Sequence, residues 1–140
     1  MRPILLLLLV GSLAVVGCGS DSSSDTLSTS DLQSKATAIC KQVVADQQKA
    51  ADSQDYASIP DISNKAISDL EALKPSDADK AKFEAYVTAQ KAAVEASNPV
   101  AEALAAKDQA KAQQLATGAQ TLSDTANKAA TAAGLPGCAG

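Results

Sequence analysis

Three cysteines and a scatter of carboxylates are the only side chains in this sequence with chemistry to offer, because it contains no His. That absence removes the commonest general base, the usual zinc ligand and the usual haem ligand. A Ser-His-Asp arrangement is impossible, no Ser sits in a G-x-S-x-G context, and neither a P-loop nor a GxGxxG stretch occurs. Asp77, Asp79 and Glu84 fall close together, but not at the spacing of a calcium-binding EF-hand loop. They read instead as acids placed to favour a helix dipole. Asp31–Lys35, Asp61–Lys65 and Asp124–Lys128 have the i,i+4 spacing of surface ion pairs. The expectation is a non-enzymatic protein with no metal and no cofactor. Cys18, Cys40 and Cys138 are left as the informative residues, and their meaning depends on the elements that carry them.

Those elements are helical. Residues 19–29 are mostly Ser, Asp and Thr, with almost nothing apolar to bury, and read as a flexible tether with a reach of roughly 20 Å. From Ser30, read as an N-cap, Leu32, Ala36, Ile39, Val43 and Ala50 make one apolar stripe at helical spacing, running to about Ser53. After a loop through Tyr56, Ile59-Pro60 opens a second helix with the stripe Ile59, Ile62, Ala66, Leu70 and Leu73, which Pro75 stops. Ser76 and Asp79 sit at capping-box positions for a third helix carrying Phe83, Val87 and Val94. Pro99 interrupts that helix, and the spacing admits either a kink or a true break there. Asp108 caps the last helix, whose seam of Ala112, Leu115, Ala119, Leu122, Ala126, Ala129 and Ala133 alternates in steps of three and four. Gly134, Leu135 and Pro136 give a stop signal of the left-handed type. Short connections favour antiparallel neighbours, so the fold expected is an all-α, up-down-up-down four-helix bundle.

Composition limits what such a bundle can do. There is no Trp, one Phe and two Tyr, and Ala dominates, so the core is thin and would gain from a covalent staple. The chain is acidic, with a net charge of −4, and removing Arg2, its only Arg, makes it more so. That argues against nucleic acid and against electrostatic adsorption to a membrane.

The apolar run from Ile4 to Val16 is too short to span a bilayer but suits the core of a secretory signal. It ends in Val15-Val16-Gly17-Cys18, which resembles the lipobox of bacterial lipoproteins. The resemblance implies cleavage before Cys18, a diacylglycerol on its thiol, and a protein anchored on the extracytoplasmic face of the cell membrane. Two acyl chains suffice for stable anchoring. On this reading residues 1–17 are signal peptide, 18–29 the lipidated Cys and tether, and 30–140 the helical domain.

With Cys18 lipidated, Cys40 and Cys138 remain as an even pair in an oxidising compartment. An up-down-up-down bundle brings the start of the first helix and the end of the fourth to the same end, which favours a structural disulfide. Two free thiols or a redox pair are the alternatives, the latter without a CxxC neighbour or a His. The lipobox, the Ser/Asp tether, Cys40 and the closing Ala-Ala-Gly-Leu-Pro-Gly-Cys together resemble small Ala-rich actinobacterial lipoproteins. That resemblance implies an address and a disulfide, and no activity.

Two modes of action fit. One is an interaction module that meets another envelope protein through a helix face, with the small-residue seam of the last helix as candidate surface if it is left partly exposed. The other is a carrier of a small apolar or lipid ligand in a groove near Pro99, lined by Tyr86, Val87, Val94, Val100 and Leu104. Tyr86, one step off the apolar stripe, is expected at the rim of that groove.

Overall fold

The computed structural model describes residues 26–139, and the lipobox, Cys18 and most of the tether lie outside them. Four helices follow in order: α1 (Thr29–Asp52), α2 (Ile59–Glu71), α3 (Asp77–Ala105) and α4 (Gln109–Ala132). Short 3-10 turns, Tyr56–Ser58 and Pro136–Cys138, precede α2 and follow α4. The packed part takes in Leu27, from the stretch read as tether, because its amide donates to the Lys74 carbonyl at 2.7 Å. Leu27 therefore lies beside Pro75, between α2 and α3. The start of α1, the end of α2 and the start of α3 share one end of the molecule with Leu135, beyond α4. That is the up-down-up-down bundle, all α.

Local chemistry sets the boundaries. α1 starts one residue before Ser30 because Ser28 is its cap: the Ser28 hydroxyl accepts from the Asp31 amide and donates to the Asp31 carboxylate. Asp31 is thereby held at the first turn, where the helix dipole favours it. At α3, Ser76 has the extended backbone of a cap, yet its hydroxyl donates to the Asp79 carboxylate at 2.9 Å. Thr29 donates to the same oxygen at 2.7 Å, so Asp79 ties the start of α1 to the start of α3. These two hydroxyls, Thr29 first, hold the Asp79 carboxyl below its ordinary value. Asp108 caps α4 by accepting from the Lys111 amide. The i,i+4 pairs differ from those expected: Lys65 turns to Asp69 rather than Asp61, and Asp124 accepts from Gln120.

α3 runs through Pro99 without a break. Proline has no amide to give to the Glu95 carbonyl one turn back, but Glu95 is exposed, so water can take that place.

Three helices end the same way. After α4, Leu135 N–H bonds to Ala130 O and Gly134 N–H to Thr131 O, with Gly134 at φ 73°. α1 and α3 close with matching bonds, Asp55 to Ala50 and Asp108 to Ala103, but the left-handed position is held by Gln54 and Lys107, each at φ 59°. Gly134 is thus the only one of the three with the residue this geometry prefers.

The large side chains pool at one end. Leu32, Leu70, Phe83, Tyr86, Val87 and Leu135 form a cluster with Ala36 and Ala130, and the Phe83 and Tyr86 rings lie 6.2 Å apart. Elsewhere the bundle is built on alanine. α3 and α4 pack together most extensively. Ala112, Ala119 and Ala126, seven residues apart, are buried on α4, and Ala93, Ala101 and Ala103 are buried on α3. Ala112, Ala119 and Ala126 of the α4 seam are therefore spent inside the molecule, while Leu115, Ala129 and Ala133 are half-buried and Leu122 stays 36% exposed. α1 lies against α2 and against the C-terminal turn rather than along α4.

Cys40 and Cys138 form a disulfide (Sγ–Sγ 2.02 Å, Cα–Cα 5.2 Å) across 98 positions of sequence. Cys40 lies midway along α1 rather than at its start, and the terminal turn folds back to reach it. Gly137 makes that approach possible, because a Cβ there would come within 2.5 Å of the Thr37 side chain. We predict that Gly137→Ala destabilises by about 1–3 kcal/mol, as overpacking does. Gln54→Gly and Lys107→Gly should each stabilise by about 0.5–1 kcal/mol, by relieving a left-handed side chain. Urea denaturation of the three variants checks both signs.

Candidate functional site

The bundle is not filled along its length. Between the α1–α2 and α3–α4 pairs lies a cavity of about 180 Å³, reached from all four helices. Ile39, Val43, Ile67, Leu70, Tyr86 and Val94 supply apolar walls. Gln47 and Ser63 on one side, and Gln90, Ser123 and Asn127 on the other, supply polar groups. The disulfide bounds it toward the tail, and Val44, 63% exposed, lies at its edge. A second hollow, of about 430 Å³, lies toward the opposite end and is lined by Tyr56, Ile59, Val100, Leu104 and Ala119 among others. Ser123 lines both, so the two are neighbours on either side of it.

The helical stripes explain the cavity. In α1 the apolar series passes from Val43 to Ala50 through position 47, where a Leu would fill the core and Gln stands instead. In α2 position 63 is a Ser, and in α3 position 90, between Val87 and Val94, is a Gln. Gln47 Nε2 donates to Ser63 Oγ at 2.9 Å, and Ser63 donates to the Ile59 carbonyl at 2.8 Å. Ser63, the buried polar side chain among the described residues, is thus satisfied. Gln47 and Gln90 interrupt a 3–4 pattern and are visible in sequence.

The groove expected near Pro99 is divided. Tyr86 and Val94 line the inner cavity, and Val100 and Leu104 the end hollow. Val87 turns to the α2 side, where it lines a separate depression with Phe83, Leu73 and Pro75. Pro99 lines none of the three. Beside it, Asn98 Oδ1 is buried without a hydrogen-bond partner, an arrangement that costs about 1–3 kcal/mol.

Tyr86 is not at a rim. It is 1% exposed and belongs to the core. Its hydroxyl lies 3.4 Å from Cys40 Sγ and must be the donor, since a disulfide sulfur carries no proton. Burial pushes this phenol up to about 12. No Asp, Glu or Lys lines the inner cavity, and Tyr86 is neutral at pH 7. The cavity therefore offers a ligand apolar contact and hydrogen bonds from uncharged side chains. Among the described residues no group of three or more Cys, Asp or Glu could hold a metal ion.

No family model, no curated protein and no solved structure matches the chain.

Tyr86 yields a pH prediction. A phenol raised from 10.0 to about 12 in the folded state contributes stability that is complete below pH 10 and is lost as pH rises through 12. The loss is at most about 1.4 kcal/mol per pH unit. The tyrosinate absorbance that Tyr86→Phe removes should accordingly rise near pH 12. Titrating both proteins and subtracting the curves checks it, and a difference step at pH 10 would contradict the burial argument.

Proposed function

We propose that this chain is an exported bacterial lipoprotein, held by a lipid on Cys18 at the extracytoplasmic face of the cell membrane, with a helical domain that acts as a non-enzymatic binding module. One observation carries the reading. Cys40 and Cys138 are spent on each other, so of three cysteines Cys18 alone remains, and it follows Val15-Val16-Gly17 at the end of the apolar run. A disulfide also suits an oxidising compartment outside the cytoplasm. No helix among the described residues is long and apolar enough to cross a membrane, so the proposed attachment rests on the N-terminal segment.

The binding mode has two readings. A helix-face contact with another envelope protein would use the part of the α4 seam that stays partly exposed, around Leu115 and Leu122, since Ala112, Ala119 and Ala126 are buried. A carrier of a small apolar or lipid ligand is favoured by the inner cavity and the end hollow, although their walls differ from those expected near Pro99. The acidic balance argues against nucleic acid in either case.

The anchor is tested by the intact mass of the protein taken from its own membrane in mild detergent. The expected mass starts at Cys18, is raised by acyl chains and is lowered by two hydrogens for the disulfide. Cys18→Ser should abolish the acyl increment and release the protein from the membrane. A mass starting at Met1 would contradict the proposal.

A further inference from the structure

We propose that the inner cavity binds a small neutral molecule with an apolar body and a hydrogen-bonding group, such as an aromatic ketone or a short-chain alcohol or amide. This deepens the binding-module reading and rests on it, but it is independent of the lipid anchor.

Protein interiors are close-packed, and holes much larger than a water molecule are few. An engineered apolar cavity of about 150 Å³ is enough to take up benzene, and this one, of about 180 Å³ and open to solvent beside Val44, lies in a molecule short of large side chains. Its position follows from sequence. Gln47 and Gln90 occupy places in the stripes of α1 and α3 that call for a large aliphatic residue, Ser63 stands on the buried face of α2, and all three line the same space. Such polar residues at one level of a bundle forgo packing that the chain can ill spare.

Charge selects the ligand. Charged residues make up 20% of the sequence, yet none reaches this lining, where the one ionisable group, Tyr86, is held neutral. An anion or cation brought into such a space would lose its hydration with no counter-charge to replace it. A neutral molecule loses little, and its polar end can meet the side chains of Gln90 and Ser123 while Ile67, Val94 and the Tyr86 ring enclose its body.

Photolabelling of the intact protein in its membrane tests this, with benzophenone as the neutral probe and 4-benzoylbenzoate as its anionic counterpart. Labelling by benzophenone should saturate, map to Val43, Ile67 or Val94, and half-saturate at a concentration at least tenfold below that of the anion. Val94→Phe fills the cavity from α3, and Ser123→Leu fills it from the partly exposed side of α4. Each should reduce cavity labelling at least tenfold while helicity and melting temperature hold, and Ser123→Leu carries the test if Val94→Phe does not fold. Equal or better labelling by the anion, still lost in the variants, would overturn the neutral class and leave a binding cavity. Label that does not saturate, falls outside the cavity, or is unchanged in folded variants would overturn the site and the carrier mode, and leave the helix-face mode of the binding module standing.

Discussion

A cross-link between the middle of α1 and the turn just beyond α4 governs how the two halves of this bundle meet. The α1–α2 and α3–α4 pairs are joined through α2 and α3, but α1 does not lie along α4. The terminal turn fills that place. Leu135 enters the core completely, Gly137 passes close to Thr37, and Cys138 reaches Cys40 with its sulfur 3.4 Å from the Ala36 carbonyl. Tyr86, buried beneath, donates to the Cys40 sulfur and ties α3 to the same point. Closing a loop of this length stabilises by up to about 4–5 kcal/mol on chain-entropy grounds. That is a large share of the total for a domain this poor in large side chains.

Scarcity of such side chains shapes the rest. With one Phe, two Tyr and no Trp, the chain cannot furnish two well-filled ends. Phe83, Tyr86 and the buried leucines gather around the disulfide, while Tyr56 lies toward the opposite end. Away from it, α3 and α4 rely on alanines, whose small size allows close approach, and the space between the two helical pairs stays partly unfilled. The inner cavity follows from this distribution, and its uncharged, partly polar lining follows from Gln47 and Gln90 standing in the stripes and Ser63 on the buried face of α2.

Much of this was legible in the residues. Helix number, topology and the disulfide followed from periodicity, from Pro75 and Gly134, and from the pairing of two cysteines. Those signals are local, or depend only on which end of the bundle a residue occupies. What failed to show was the orientation of individual side chains. Tyr86 lies one step off the Phe83–Val87–Val94 line, yet it is 1% exposed and belongs to the core cluster. Val87, on the line, faces α2 instead. Ser28 outcompetes Ser30 as cap because Asp31 then falls at the right distance to bond back to it. The α4 seam could not declare from sequence whether it faced α3 or a partner. The candidate cavity was misplaced toward Pro99 because a proline is conspicuous and a Gln within an apolar stripe is not.

Amide hydrogen exchange, compared between the oxidised protein and the Cys40→Ser/Cys138→Ser variant, tests most directly whether the cross-linked turn fastens one helical pair to the other. The account predicts that the terminal turn and the half of α1 around Cys40 lose protection, while the α3–α4 interface at Ala101, Ala112 and Ala119 keeps most of its own. Unchanged protection in α1, or an even loss over all four helices, would contradict it.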